Sequence, residues 1–175
     1  MNPQITAILD FVREHQEFAA PIVGVLAFGE SLALISLLIP ATVLLIGIGA
    51  LIGASGIEFW PIYLGAVLGA GLGDWVSFWL GRHYHEPIAR MWPLSKHPDL
   101  LPKGHAFFEK WGWPGVFIGR FFGPLRAVVP LVAGTCQMPK TPFQIANWTS
   151  AAVWAALLLG PGSLGMSQIR DLLMK

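Results

Sequence analysis

The chain has 175 residues, of which 54% are hydrophobic and only 12% are charged, and its formal net charge at pH 7 is +1. Soluble domains carry about 25% charged residues, so the composition excludes an ordinary soluble domain and predicts an integral membrane protein. The near-zero net charge gives no support for a nucleic-acid partner. A single cysteine, Cys136, excludes an intramolecular disulfide, and the length allows one membrane domain over residues 1–175.

Residues 1–18 are predicted to form an N-terminal amphipathic helix that lies on the membrane surface. Ile5, Ile8, Leu9 and Val12 share one helical face, and the charged residues fall on the others. The segment lacks a basic stretch followed by an apolar core, so it is not expected to be a signal peptide. A flexible tail is the alternative interpretation.

Residues 19–57 are predicted to form a first re-entrant hairpin, and Glu30 is their one charged residue. Since a membrane-spanning helix needs about 20 residues, this stretch suffices for two crossings or for a hairpin that enters and leaves by one face. Pro40, within LLIPATVLL, removes a helix hydrogen bond and marks the point where the chain turns.

Residues 59–81 are predicted to form a transmembrane helix with the sequence FWPIYLGAVLGAGLGDWVSFWLG. Glycine recurs at every fourth position, at Gly65, Gly69 and Gly73, and such stripes of small residues let helix backbones approach closely. Asp74 follows the stripe directly and places a carboxylate inside the apolar segment.

Residues 82–111 are predicted to form a polar loop with short helices outside the hydrocarbon, because they hold four of the five histidines and five of the eleven Lys and Arg residues. The histidine spacings match no standard metal-ligand pattern and no cysteine is close, so neither a metal nor another cofactor is expected. If both termini share one side of the membrane, the positive-inside rule places this loop in the cytoplasm.

Residues 112–138 are predicted to form a second re-entrant hairpin, in which Gly123, Pro124 and Pro130 interrupt the run FIGRFFGPLRAVVPLVAG. Residues 141–169 are predicted to form the last transmembrane helix, where Asn147 is the one strongly polar group.

Each half of the chain therefore consists of a broken apolar segment followed by a membrane-spanning segment, and the polar loop separates the two halves. This order predicts an all-α membrane protein with an inverted repeat of two re-entrant hairpins, each followed by a transmembrane helix. Broken helices at corresponding positions of two halves are typical of transporter binding sites near the bilayer midplane. Such breaks are tolerated there only when protein or a watery cavity covers them.

Four charged residues fall within the apolar segments: Glu30, Asp74, Arg120 and Arg126. Each costs about 2.5–3.5 kcal/mol at a helix centre, so they must be paired, hydrated or close to an interface. Two acids and two arginines sum to zero, and two salt bridges between the hairpins are a complete structural explanation. The functional interpretation is that the arginines bind an anion such as phosphate, while the acids bind and release protons.

Enzyme motifs give no competing interpretation. G-x-S-x-G, H-E-x-x-H and the Walker A pattern are all absent from the sequence. No catalytic residue is predicted, and an enzyme is the least expected class of protein.

The sequence resembles the DedA family of bacterial membrane proteins, also called the SNARE-associated or VTT-domain superfamily. The resemblance covers nearly the whole chain and is carried by FGESLALISLLIPATVLLIGIGALIG, GAGLGDWVSFWLGR and GRFFGPLRAVVPLVAG, and by Phe143, Asn147 and Trp154. It implies a multi-pass protein of the bacterial inner membrane, a functional acid at Glu30 and two essential arginines at Arg120 and Arg126.

The resemblance also implies a function, the return of undecaprenyl phosphate across the inner membrane, with proton coupling in some members. Many members have an acid just after the proline of the first hairpin, where this chain has Ala41 and Thr42. Thr42 therefore mildly favours an alternative, an uncoupled phospholipid scramblase, and a structural or assembly protein is the third hypothesis. The expected partners are a membrane lipid and the bilayer, and a homo-oligomer is compatible with the sequence.

Overall fold

The computed structural model describes residues 14–32, 41–84, 100–122 and 125–173, and every regular element within these ranges is a helix. The six helices are α1 (Gln16–Ser31), α2 (Ala41–Ser55), α3 (Phe59–His83), α4 (Leu100–Gly119), α5 (Leu125–Thr135) and α6 (Lys140–Leu173). The all-helical class predicted from the sequence is therefore confirmed for this part of the chain. Of the surface helix predicted over residues 1–18, residues 1–13 lie outside the described residues and residues 16–18 belong to α1. Residues 85–99 of the predicted polar loop also lie outside the described residues.

The helix breaks agree only in part with the predicted breakers. Pro40 lies between α1 and α2, and Gly123 and Pro124 lie between α4 and α5, but all three are outside the described residues. Pro130 was also expected to break the second hairpin, and this is wrong, since α5 continues through it to Thr135. Pro130 is the sixth residue of α5, so it removes only the hydrogen bond to the carbonyl four residues earlier and leaves the first turn intact.

Helix α4 begins twelve residues before the predicted start of the second hairpin and crosses the boundary expected between loop and hairpin. Gly112 divides it, with φ 54° and ψ −136°, a conformation that glycine adopts without the steric cost of a Cβ atom. Pro114 follows two residues later, and proline is favoured where a helix restarts. The predicted boundary at residue 112 therefore corresponds to a kink within one helical segment.

The glycine stripe of α3 is the surface on which α1 packs. A Cβ atom added at any of its three glycines would overlap the backbone of α1. The close approaches occur in the order Ala20 to Gly65, Gly24 to Gly69 and Phe28 to Gly73. Because both residue numbers increase together, α1 and α3 run parallel, with their backbones in direct contact.

The packing of the other helices follows the internal repeat. In the first half α1 packs against α3, and in the second half α4 packs against α6, so the first helix of each half contacts the long helix of that half. The second helices are exchanged, because α2 packs against α6 and α5 packs against α3. The long helices α3 and α6 also pack against each other, so each half is completed by a helix of the other.

Within the described ranges, α3 is the one helix that is both long and apolar enough to cross a membrane. Its outward face is apolar, and the large side chains exposed along it are Trp60, Leu64, Leu68, Leu72, Trp75, Val76 and Trp79. Three core clusters fill the interior of the described bundle. One surrounds Ile62, Leu45 and Leu159, the second surrounds the stacked rings of Phe78 and Phe143, and a smaller third surrounds Val132.

Candidate functional site

The structure brings together the four charged residues that the sequence places inside apolar segments. Glu30 is the next-to-last residue of α1, Asp74 lies in α3, Arg120 follows the last residue of α4, and Arg126 is the second residue of α5. All four are buried, with exposed fractions of 5%, 5%, 4% and 8% in that order. The packing of α1 and α5 against α3 therefore assembles four helix segments into one buried polar site.

Arg120 is held by α3 and α6 together. Its Nη2 atom donates to Asp74 Oδ2 and to Asn147 Oδ1, the second bond at 2.7 Å. Asn147 Nδ2 in turn donates to the Gly71 carbonyl oxygen at 2.9 Å. One fully buried amide thus fixes the guanidinium group and ties α6 to α3 at the same level.

Arg126 forms the second ion pair of the site. Its Nη1 atom donates to Glu30 Oε1 at 2.8 Å. The Arg126 guanidinium carbon also lies 4.3 Å from the ring centroid of Trp154, a buried side chain on α6. This distance is well within the range of about 6 Å over which a cation is attracted to an aromatic face.

The two ion pairs form one electrostatic network with a formal charge of zero. Arg126 interacts electrostatically with Asp74 and Arg120 as well as with its partner Glu30. Burial weakens the screening of such interactions by water, so a change of charge on one member alters the energy of the others. The arrangement can therefore couple the arrival of one charge to the departure of another.

The arginines also keep donor groups that the ion pairs do not use. Among the described residues, Arg120 Nε, Arg120 Nη1 and Arg126 Nη2 are buried and have no hydrogen-bond partner. Leaving a buried donor unsatisfied costs about 1–3 kcal/mol, and more for a charged group. Three such nitrogens on two neighbouring cations are the kind of donor set that the oxygens of an anion satisfy.

The other predicted residues contribute less to this geometry. Thr42 lies in α2, but its side chain is not among those described. Pro130 is buried within α5. Among the described residues no group of three or more potential metal ligands occurs, and two of the loop histidines, His85 and His97, lie outside those ranges.

The role of Trp154 could not be derived from composition, although Trp154 is one of the residues that carry the family resemblance. The missed signal is its spacing from Asn147, because residues seven apart on a helix lie on the same face. A second missed signal is a repeated pattern in the two long helices. Asp74-Trp75-x-Ser77 in α3 corresponds to Asn147-Trp148-x-Ser150 in α6, and the first residue of each pattern contacts Arg120.

The fold and the site define a helical membrane protein with a buried, charge-balanced polar centre built from two repeated halves. The VTT domain family model matches residues 39–164, and the chain belongs to this family, the DedA or SNARE-associated superfamily. It is a multi-pass protein of the bacterial inner membrane.

Curated relatives agree with this assignment. The chain is 36% identical over 159 residues to the inner membrane protein YabI of Escherichia coli K12, a match that covers 91% of this chain and 63% of YabI. It is 30% identical over 155 residues to the uncharacterized membrane protein BU139 of Buchnera aphidicola, covering 89% of this chain and 60% of the relative.

The inner membrane protein YqjA of Escherichia coli K12 is 28% identical over 161 residues, which are 90% of this chain and 67% of YqjA. The chain spans 63% of the length of YabI and 60% of the length of BU139. No solved structure matches the chain.

Proposed function

We propose that the chain moves a lipid phosphate across the inner membrane, with undecaprenyl phosphate as the expected substrate, and that Arg120 and Arg126 bind the phosphate group. The observation that carries the proposal is the set of three buried guanidinium nitrogens without a partner among the described residues. Guanidinium groups bind phosphate oxygens through paired hydrogen bonds and stay charged at every physiological pH. The choice of undecaprenyl phosphate rests on the resemblance to the DedA family.

When no substrate is bound, the two acids balance the charge of the two arginines. Asp74 and Glu30 neutralise the arginines through the observed ion pairs, and a phosphate that binds the unpaired nitrogens would compete with them for the positive charge of the same two guanidinium groups. A phosphate added to a site of zero charge leaves a buried negative charge, which is costly in a low-dielectric environment. A phosphate monoester carries about −1.5 to −2 charges at pH 7, and protonation of one carboxylate compensates one of them, so the proposal includes proton uptake by Glu30 or Asp74 with substrate binding.

The proposal also includes re-entry of both hairpins into the membrane. Arg120 follows the last residue of α4 and contacts Asp74, which lies about 22 Å along α3 from its first residue. The end of α4 is therefore level with the interior of the helix that is long enough to span. Since α5 contacts the same helix as it leads away, this geometry supports a chain that turns inside the membrane.

The test is translocation of a fluorescent polyprenyl phosphate by the purified chain in sealed lipid vesicles. Arg120→Ala and Arg126→Ala are each expected to lower the rate at least tenfold while the protein still inserts and keeps its helical content. Arg82→Ala is the matched control, because Arg82 donates to the Met138 carbonyl oxygen at the end of the bundle, away from the ion pairs. Full activity in both site variants would refute the proposal.

Uncoupled scrambling of ordinary phospholipids is the second candidate, favoured by Thr42 at the position where many family members carry an acid. It predicts that translocation in the same vesicles does not depend on a proton gradient. It also predicts that phospholipids without a free phosphate monoester move as fast as the polyprenyl phosphate. A rate that responds to the gradient and to the headgroup would exclude it.

A further inference from the structure

The two guanidinium groups of the site have partners of two different kinds. Each contacts one carboxylate, from α1 or α3, and one neutral side chain from α6. The neutral partner of Arg120 is Asn147, and that of Arg126 is Trp154. An amide and an indole do not change charge in the physiological pH range, whereas a carboxylate can be protonated or displaced by another anion.

The two neutral partners lie on one face of α6. Asn147 and Trp154 are seven residues apart, which is almost two full turns and a rise of about 10 Å. Their exposed fractions are 0% and 5%, so both contacts are shielded from solvent. The hydrogen bond from Asn147 to the Gly71 carbonyl fixes this face of α6 against α3.

We propose that Trp154 is a positioning residue that holds the Arg126 guanidinium group in the site when Glu30 is protonated or displaced, as Asn147 does for Arg120. The attraction between a cation and an indole face strengthens when both are removed from water, and it acts on the whole cation. The Nη2 donor of Arg126 therefore remains available to an incoming oxygen. The inference rests on the proposed function only in taking a lipid phosphate as the anion that displaces Glu30.

The first experiment is independent of any transported molecule. Thermal unfolding of the full chain in detergent micelles is compared for wild type, Glu30→Gln, Trp154→Leu and the double variant. The double variant is expected to lose clearly more melting temperature than the two single variants together, because only there does Arg126 lack both its carboxylate and its aromatic partner. Strictly additive losses would overturn the proposal.

A matched cycle controls for general loss of packing. It combines Glu30→Gln with Phe143→Leu, since Phe143 is a fully buried aromatic residue of α6 that stacks on Phe78 and on neither arginine. This cycle is expected to be additive. Non-additivity of equal size in both cycles would show that the effect at position 154 is not specific to Arg126, and would also count against the proposal.

The second experiment separates the indole face from the volume of the side chain. Tryptophans carrying one, two or three ring fluorines are introduced at position 154 alone by stop-codon suppression, and transport of polyprenyl phosphate is measured in vesicles. Each fluorine weakens the negative ring face at nearly constant size, so KM is expected to rise stepwise, at least tenfold over the series, with kcat within about twofold. Trp154→Phe should retain more activity than Trp154→Leu.

The same fluorinated series at Trp113, a half-exposed tryptophan of α4, is expected to leave KM unchanged. A flat series at position 154 would overturn the positioning role even if the wild-type chain transports the lipid. If the wild-type chain moves no lipid phosphate, the proposed function fails, and the thermal cycle with Glu30 still decides the role of Trp154.

Discussion

At the residue scale, the shape of the guanidinium group matters as much as its charge. Arg126 donates from one nitrogen to Glu30 while its central carbon lies over the Trp154 ring. A lysine ammonium is a compact point charge on a flexible stem and cannot reproduce both contacts with the same geometry. Arg126→Lys is therefore expected to lower lipid-phosphate translocation at least tenfold, measured in vesicles, although the charge is unchanged.

The control for this substitution is Arg82→Lys. Arg82 donates to the Met138 carbonyl oxygen at 2.9 Å and is only partly buried, so a lysine can replace it with little effect on transport. Equal rates for Arg126→Lys and wild type would mean that charge alone suffices at the site, and would remove the argument for a paired guanidinium–phosphate contact.

A charge exchange distinguishes the transport site from a purely structural ion pair. The variant Glu30→Arg with Arg126→Glu keeps the pair between α1 and α5 but moves the guanidinium group away from the α5 backbone position. It is expected to regain part of the melting temperature lost by either single variant, since a lone buried charge costs more than a buried pair. Translocation is expected to stay at least tenfold below wild type.

Recovery of stability and transport together would instead favour a structural or assembly role for the chain. Both quantities are therefore measured on the same preparation: the melting temperature in detergent and the rate of lipid-phosphate translocation in vesicles.

At the element scale, the contact between α1 and α3 depends on the absence of side chains along α3. A Cβ atom at Gly69 would overlap the Gly24 backbone, and overpacking of this kind costs about 1–3 kcal/mol. Gly69→Ala is expected to lower the melting temperature and to weaken the Glu30–Arg126 pair, because Glu30 is carried by α1. Thermal unfolding in detergent measures the first effect.

Gly47→Ala is the matched control in α2. A Cβ atom at Gly47 meets no other atom within 4 Å, so alanine there should be neutral or stabilise the helix by up to about 1 kcal/mol. If Gly47→Ala lowers the stability as much as Gly69→Ala, the close packing of α1 against α3 does not explain the loss caused by Gly69→Ala.

The helices themselves could largely be predicted from local sequence, whereas their partners could not. The glycine stripe at every fourth residue and the apolar run of α3 are local patterns, and the structure places them as expected. Pro130 was misassigned because proline in the second turn removes only one hydrogen bond, and packing against α3 and α4 offsets that cost. The start of α4 within the predicted loop could not be placed because Pro102, Lys103 and Gly104, which follow its first two leucines, interrupt the apolar pattern.

The pairing of charges is decided by contacts between residues far apart in sequence. Glu30 and Arg126 are 96 positions apart, and Asp74 and Arg120 are 46 positions apart. Charge balance predicted that two acids and two arginines would meet, but either acid could have served either arginine. Which pair forms depends on the packing of α5 against α3 and of α2 against α6, and this exchange of helices between the two halves leaves no periodic signal in the sequence.

At the scale of the whole molecule, each half of the chain supplies residues without which the site of the other half is incomplete. Glu30 lies in α1 and its partner Arg126 in α5, while Asp74 of α3 binds Arg120, which follows α4. Each ion pair therefore joins the two halves, and neither half contains a complete site. A relative movement of the halves would break or form both pairs, which is the kind of movement that alternating access requires.

The orientation of this bundle can be tested with two engineered cysteines at opposite ends of the long helices. Glu58 precedes α3 and Lys140 begins α6, and both side chains are exposed. Because α3 spans the distance between these ends, the two positions should lie on opposite sides of the membrane. The excess of Lys and Arg in residues 82–111 predicts that the Lys140 end faces the cytoplasm.

The variants Glu58→Cys and Lys140→Cys are made in a Cys136→Ser background and treated with a membrane-impermeant maleimide. In spheroplasts, the cysteine at position 58 is expected to react within minutes and that at position 140 to react only after the membrane is opened. The reverse labelling would show the opposite orientation and place the basic loop outside. Labelling of both positions from one side would contradict a single crossing by α3, and with it the inverted arrangement on which the two-halved site depends.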